Sequence, residues 1–83
     1  MIMKFFVYMI VSKNKSKLTT YVGYTNNLLK RIKLHNDGKG AKFTRGRKWK
    51  LLYYETFNSK IKAMKREYVI KKDTEFRKTL KLK

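Results

Sequence analysis

The hydrophobic positions along the chain form three strand-like runs. Residues 4–12 are aromatic or β-branched at most positions, which is typical of a strand buried on both faces. A polar turn separates them from a second run at 19–24, so these two runs predict a β-hairpin. A third strand is predicted over residues 50–57, where Leu, Tyr and Phe are concentrated.

Capping signals predict three helices. The first covers residues 28–35, with Thr and Asn as N-cap candidates before it and a C-cap glycine in the closing segment 36–38. Asn58-Ser59 caps a second helix that runs to about residue 72, and a short third helix surrounds residues 76–80. The order β-β-α-β-α-α predicts an α+β fold, in which helices flank a small three-stranded antiparallel sheet.

The composition favours one small folded domain that binds a polyanion. The 23 Lys and Arg against 5 Asp and Glu give a net charge of +18, and 42% hydrophobic residues are too many for a disordered basic tail. A chain of this size supports one core, so we expect a single domain over residues 1–83. Nucleic acid is favoured over an anionic membrane as partner, because no helix combines a basic face with the bulky apolar face of an interfacial anchor.

Missing residue types exclude several chemistries. The absence of Cys excludes disulfides, thiolate zinc sites and a cysteine nucleophile, and the single His excludes an all-His metal site. A reducing cytoplasm is therefore the expected compartment, with association with the nucleoid or the nucleus as alternatives. Residues 1–11 are too short to span a bilayer, which needs about 20 apolar residues, and they lack a signal-peptide cleavage pattern.

One carboxylate of the second helix falls on its apolar side. At about 100° per residue, Glu67 lies within the arc that contains Ile61, Met64, Ala63, Tyr68 and Ile70. The basic side chains Lys62, Lys65, Arg66 and Lys72 fall on the opposite side. A buried carboxylate needs a partner, so Glu67 either forms a salt bridge with Lys71 or another cation, or binds a metal ion.

The first helix places two polar side chains near its apolar face. Arg31 and His35 are four residues apart and project side by side, close to the face defined by Leu28 and Ile32. By themselves, a lone His on such a face is usually structural and an Arg on a helix edge is usually solvated. The pair gains weight only together with the tyrosines of the two hairpin strands.

Five elements in order resemble the GIY-YIG nuclease superfamily, and its small stand-alone members in particular. The tripeptide Phe6-Val7-Tyr8 corresponds to the first motif and Tyr21-Val22-Gly23 to the second, with Phe6 in place of the motif glycine. Arg31 and His35 match the arginine and histidine of the family's first helix, and Glu67 matches its metal-binding glutamate. The resemblance covers about residues 5–72.

The resemblance implies a metal-dependent endonuclease that hydrolyses phosphodiester bonds in DNA. It implies that Tyr8 is the base that activates water, with its pKa lowered by the many cations, and that Tyr21 orients water or phosphate. Arg31 would clamp the scissile phosphate, and His35 would contact phosphate or assist proton transfer. Glu67 would hold one Mg²⁺ or Mn²⁺, because a single carboxylate suits one mostly hydrated ion.

A glycine-rich basic loop at residues 38–48 is the predicted nucleic-acid interface. Its Lys and Arg side chains suit phosphate contacts, and Phe43 and Trp49 suit base stacking. The alternative is a solvated charge run with Trp49 in the core. The nucleic-acid-binding candidates are Lys42, Thr44, Arg45, Arg47 and Lys48.

Two other classes of function remain open at this point. The chain could be a nucleic-acid-binding module without turnover, or a basic structural or ribosome-associated protein without a site. For the nuclease, the substrate could be single-stranded, branched or duplex DNA, or RNA. Because the family's larger members carry extra DNA-binding domains, target selection here would come from this module or a partner protein.

Overall fold

The computed structural model describes residues 3–81 and confirms the predicted α+β fold and element order. Residues 1, 2, 82 and 83, which the single-domain prediction includes, lie outside this range. No helix within 3–81 is long and apolar enough to cross a membrane. The elements are β1 (Phe5–Asn14), β2 (Lys17–Thr25), α1 (Leu28–Asn36), β3 (Lys50–Phe57), α2 (Lys60–Lys72) and α3 (Thr74–Lys81).

The three strands form an antiparallel sheet in the order β2-β1-β3. The central strand β1 is buried from Val7 to Ile10, as its apolar run predicts. In the β1–β2 register Tyr8 lies opposite Gly23 and Ile10 lies opposite Tyr21. Because side chains alternate along a strand, Tyr8 and Tyr21 are diagonal neighbours on the same face of the sheet.

Each face of the sheet carries its own apolar cluster. On one face Val7, Met9 and Val22 pack with Ala63 and Ile70 of α2. On the other face Tyr8, Ile10 and Trp49 form a cluster against which Tyr21, Leu28 and Ile32 pack. Helix α1 is therefore attached to the face that carries the two motif tyrosines.

The ends of α1 are fixed by local hydrogen bonds. Asn27 is the N-cap, and its side chain accepts from the Lys30 N–H. At the other end Gly38 has a φ of 77°, its N–H donates to the His35 carbonyl, and the Lys39 N–H donates to the Leu34 carbonyl. This is a Schellman termination, which requires a left-handed residue such as glycine. The caps hold Arg31 and His35 in a defined orientation on the sheet.

The side of α2 that faces the protein differs from the predicted apolar arc. Ala63 and Ile70 are buried, but Ile61 and Tyr68 are 66% and 59% exposed, and Met64 is also exposed. Arg66, predicted on the solvent side, is half-buried and donates to Glu55 through Nε and Nη2, each at 2.9 Å. The helix is thus rotated so that its polar Arg66 and Glu67 positions flank the buried contact.

Candidate active site

A surface cleft of about 510 Å³ collects polar side chains from β1, β2, α1 and α2. Four of the five predicted catalytic residues line it, namely Tyr8, Tyr21, Arg31 and Glu67. The fifth, His35, is fully buried and is hydrogen-bonded to Tyr8. The remaining lining residues are Met3, Phe5, Gly23, Tyr24, Thr25, Asn26 and Lys60.

Gly23 allows the Tyr8 ring to lie across β2. A Cβ atom built at this position would lie 2.7 Å from Tyr8 Cζ, which is closer than non-bonded carbon atoms approach. Because the clash involves a buried ring, it could not be relieved by a small rotation. The second motif therefore requires glycine at this position because the tyrosine of the first motif lies across it.

A chain of three buried side chains leads from the cleft into the protein. Tyr8 Oη lies 2.6 Å from His35 Nε2, and His35 Nδ1 lies 2.9 Å from Thr44 Oγ1. The three residues are at most 1% exposed. Tyr8 is the member that lines the cleft, and its hydrogen bond connects His35 and Thr44 to it.

The prediction that cations lower the pKa of Tyr8 is wrong. Burial raises the pKa of Tyr8 to about 12, and the nearby Arg31 guanidinium opposes this rise only in part. Burial and the Arg31 charge together lower the pKa of His35 below its usual value of 6.5. Near neutral pH the pair is therefore a protonated tyrosine beside a neutral imidazole.

Tyr21 lies between the buried histidine and the basic loop. Its ring makes an edge contact with His35 at a centroid distance of 5.1 Å and stacks on Phe43 at 6.1 Å. Lys71 Nζ lies 5.9 Å from the centre of the same ring. Tyr21 thus connects the cleft to the exposed Phe43 side chain of the loop.

Arg31 brings a cation into the cleft from α1. Its Nε is buried, and no acceptor among residues 3–81 is hydrogen-bonded to it. A buried guanidinium nitrogen without an acceptor costs free energy, and a phosphate oxygen in the cleft would satisfy it. Arg31 therefore brings to the wall of the cleft a cation whose Nε–H has no acceptor among the described residues.

Glu67 lies both in the predicted salt bridge with Lys71 and at the wall of the cleft, where a metal ion could bind. Its side chain lines the cleft, and Oε1 lies 3.5 Å from Lys71 Nζ, which is the predicted pairing four residues along the helix. No group of three or more His, Asp or Glu residues that could hold a metal ion occurs within residues 3–81. A metal ion in the cleft would therefore rely on Glu67, on water and on substrate oxygens for its ligands.

The basic loop has a buried side and an exposed side. The prediction that Thr44 contacts nucleic acid is wrong, because Thr44 is fully buried and its hydroxyl contacts His35 and the Ala41 carbonyl. Trp49 is in the core and donates from Nε1 to the Thr44 carbonyl at 2.9 Å, so it is not a stacking platform. Arg47 is half-buried beside Phe43, whereas Lys42, Arg45 and Lys48 are exposed.

Sequence reasoning missed several residues of the site. Lys60 and Asn26 line the cleft, and Asn36 clamps the loop by accepting from the Trp49 N–H at 2.6 Å. The position of Asn26 shortly after the second motif is a signal that could have identified it. Lys60 had no such signal, because a single Lys among 23 basic residues is not distinctive.

The fold and the cleft correspond to a known class of catalytic domain. The sequence profile described as the GIY-YIG catalytic domain matches residues 4–81. The chain therefore belongs to the GIY-YIG family, which is a family of nucleases.

Similar proteins carry the name UPF0213. The UPF0213 protein CPE1444 of Clostridium perfringens is 54% identical over 70 residues, which cover 83% of this chain and 72% of that protein. The UPF0213 protein YazA of Bacillus subtilis is 47% identical over 76 residues, covering 90% and 74%. A solution NMR structure of the UPF0213 protein BH0048 from Bacillus halodurans matches with a TM-score of 0.51 at 38% identity, covering 98% of this chain and 86% of that one.

Proposed function

We propose that this chain is a divalent-metal-dependent endonuclease that hydrolyses phosphodiester bonds in DNA. The observation that supports it most is the shared cleft of Tyr8, Tyr21, Arg31 and Glu67, with His35 hydrogen-bonded to Tyr8. Phosphodiester hydrolysis needs an activated water, a cation at the developing charge and help for the leaving oxygen. The cleft offers one group for each requirement.

Water activation would use Tyr8 and His35 as a pair. A tyrosine with a pKa of about 12 is not a phenolate at neutral pH, so it needs a proton acceptor of its own. His35 Nε2, 2.6 Å from the Tyr8 hydroxyl, is placed to be that acceptor when it is unprotonated. As the Tyr8 oxygen takes a proton from the attacking water, its own proton moves to His35. The pair thus acts as a base without storing a negative charge in the core.

Arg31 and Tyr21 would act on the phosphate. The planar guanidinium of Arg31 can donate to two non-bridging oxygens, and its buried Nε has no hydrogen-bond partner within residues 3–81. Its charge stabilises the extra negative charge that these oxygens carry in the transition state. Tyr21 lines the same cleft, and its hydroxyl would orient the attacking water or the phosphate.

The donor set of the cleft fits one mostly hydrated Mg²⁺ or Mn²⁺. Glu67 offers a hard carboxylate ligand at the wall of the cleft, and such ions commonly bind one or two carboxylates together with water and phosphate oxygens. When bound, the ion would neutralise charge on the leaving 3′ oxygen. Glu67 is paired with Lys71, and its carboxylate would exchange this contact for one with the ion.

The exposed cations of the loop support a nucleic-acid substrate. Lys42, Arg45 and Lys48 are exposed in the same loop as Phe43, and Phe43 stacks on Tyr21 of the cleft. This same surface favours a second candidate function, a nucleic-acid-binding module without turnover. The two candidates share the DNA affinity and differ only in whether the cleft cleaves the bound strand.

A cleavage assay decides between these candidates. Labelled single-stranded, duplex and branched DNA, and RNA of the same sequence, are incubated with the protein in Mg²⁺, Mn²⁺ or EDTA. The nuclease predicts cut products from at least one DNA in Mg²⁺ or Mn²⁺ and none in EDTA. Binding without any cleavage would contradict the nuclease and support the nucleic-acid-binding module. Cleavage of RNA alone would change the substrate class from DNA to RNA.

A further inference from the structure

The hydroxyl of Thr44 has only one hydrogen, and the structure determines where that hydrogen goes. Thr44 Oγ1 lies 3.0 Å from the Ala41 carbonyl oxygen, which can only accept, so Thr44 donates there. Towards His35 Nδ1, 2.9 Å away, Thr44 Oγ1 must therefore accept. This places the hydrogen of the neutral imidazole on Nδ1 and leaves a lone pair on Nε2.

The position of that hydrogen decides whether His35 can accept a proton from Tyr8. With Nδ1 protonated, Nε2 faces the Tyr8 hydroxyl as an acceptor at 2.6 Å. With Nε2 protonated instead, the imidazole would donate to Tyr8 and could not take its proton. Because His35 and Thr44 are fully buried, water does not compete for the two ring nitrogens of the imidazole.

The basic loop holds Thr44 in place by contacts that are independent of its charges. Trp49 Nε1 donates to the Thr44 carbonyl at 2.9 Å, and the side chain of Asn36 accepts from the Trp49 N–H and donates to the Trp49 carbonyl. Gly40 leaves room for the imidazole, since a Cβ atom there would lie 2.8 Å from His35 Cγ. These contacts fix both the ring plane and the Thr44 hydroxyl.

We infer that Thr44 is a positioning residue that holds His35 in the Nδ1–H tautomer, so that Nε2 can receive the Tyr8 proton. The consequence for catalysis rests on the proposed nuclease function, whereas the tautomer itself does not. Hydrogens thus point in one direction along the buried chain, from Tyr8 to His35, from His35 to Thr44 and from Thr44 to Ala41. The loop predicted from its charges to bind nucleic acid also completes the catalytic pair.

The tautomer can be measured without any activity. The chain contains one His, so uniform ¹⁵N labelling of histidine gives two ring signals, and protonated and unprotonated nitrogens have well separated shifts. The spectra are recorded well above the ordinary histidine pKa of about 6.5. In the wild type we expect a protonated Nδ1 and an unprotonated Nε2. A wild-type imidazole with its hydrogen mainly on Nε2 would overturn the inference.

Two substitutions at Thr44 test the role of the hydroxyl. Thr44→Val keeps the shape and removes the acceptor, so the two ¹⁵N shifts should approach each other or exchange order. Thr44→Ser keeps the hydroxyl and should restore the wild-type pattern, and Lys42→Ala, an exposed change in the same loop, should not alter it. Unchanged shifts in Thr44→Val would contradict the inference. If that variant fails to fold, the wild-type spectrum still decides.

Activity gives the second measurement. Thr44→Val should lower kcat with little change in KM, by up to about 10⁴-fold, which is the loss that a wrong histidine tautomer causes in a serine protease. Thr44→Ser should recover most of kcat. Equal turnover of Thr44→Val and wild type would refute the catalytic role. If the wild type cleaves no nucleic acid, the proposed nuclease function fails, and the ¹⁵N spectra still accept or reject the tautomer.

Discussion

Tyr8 is located where the polar cleft meets the apolar core. Its ring belongs to the cluster with Ile10 and Trp49, while its hydroxyl touches the only His of the chain. Burial makes ionisation of the hydroxyl unfavourable, and the imidazole gives the proton a destination. In the proposed mechanism Tyr8 therefore acts together with His35. The charge of the chain alone does not reveal this, because the effect of burial on the pKa exceeds the effect of the cations.

Tyr8→Phe removes the hydroxyl and keeps the ring. We expect DNA cleavage to be lost, DNA affinity to be retained, and unfolding free energy to fall by about 1–3 kcal/mol because His35 Nε2 loses its donor. Single-turnover cleavage and urea denaturation measure the two effects. The matched control is Tyr54→Phe, which removes an exposed hydroxyl opposite Tyr8 on β3 and should cleave normally. Full cleavage by Tyr8→Phe would contradict the role of the pair.

Arg31→Ala tests whether this side chain acts on the transition state. Loss of one preorganised donor costs about 10²–10³ in rate, so kcat should fall far more than DNA affinity. Lys30→Ala removes the same charge from an exposed position of α1 and should change kcat little. The readouts are kcat and the dissociation constant for uncleaved DNA. Equal losses in both for Arg31→Ala would make it an ordinary phosphate contact.

At the level of elements, strands and caps were predictable because their signals are local. The apolar run of β1, the Ser59 cap of α2 and the termination at Gly38 each depend on a few adjacent residues. The bounds differ from the predicted ones by one or two residues, since β1 and β2 extend to the two-residue turn at Lys15-Ser16.

The orientation of α2 was not predictable from its own sequence. Its apolar residues are spread around the helix, so the apolar arc does not define one face. The buried side is the one that carries Ala63 and Ile70, and the adjacent Arg66 pairs with Glu55 of β3, a partner that the helix sequence does not contain. The burial of Trp49 was not predictable for a similar reason. It depends on hydrogen bonds to Asn36, which is 13 residues away, and to the backbone carbonyl of Thr44, and neither partner is indicated by the sequence around Trp49.

The basic loop should dominate DNA affinity. Replacing Arg45, Arg47 and Lys48 together by Ala should weaken binding and reduce the magnitude of the slope of log affinity against log salt by about 2. The reduction is below the full value for three charges because Arg47 is half-buried and directed towards Thr19. A triple Ala variant of the exposed Lys62, Lys65 and Lys78 is the charge-matched control and should have a smaller effect. Equal effects would assign binding to overall charge.

For the whole molecule, the net charge of +18 makes nucleic-acid binding sensitive to salt, whereas the neutral buried His makes folding sensitive to pH. The cations attract nucleic acid at any pH near neutrality, and their effect weakens with salt. The folded resting protein, in contrast, favours an uncharged His35, because its ring is fully buried and lies close to Tyr8 and Thr44. Acid therefore destabilises the folded protein through His35 before it changes the charge of the basic surface.

The free energy of unfolding should decrease as the pH falls below about 6.5, the pKa of an unfolded histidine. The folded pKa is lower, so the unfolded state binds more protons in this range, and the full stability is present above it. Glu55, whose pKa Arg66 lowers, adds a further loss at more acidic pH. Urea denaturation between pH 7 and 5 measures the slope, and His35→Gln should remove most of it. The same slope in that variant would contradict the assignment.

The most direct test of the nuclease account is Glu67→Gln, measured for cleavage and for affinity on the same labelled DNA in Mg²⁺. Lys71→Ala is the control, because it breaks the same ion pair and leaves the carboxylate in the cleft. We expect Glu67→Gln to bind DNA and not cleave it, while Lys71→Ala cleaves. Mn²⁺ should raise the melting temperature of the wild type and Lys71→Ala and leave that of Glu67→Gln unchanged. Cleavage by Glu67→Gln at the wild-type rate would contradict the metal site, and with it the mechanism proposed for the cleft.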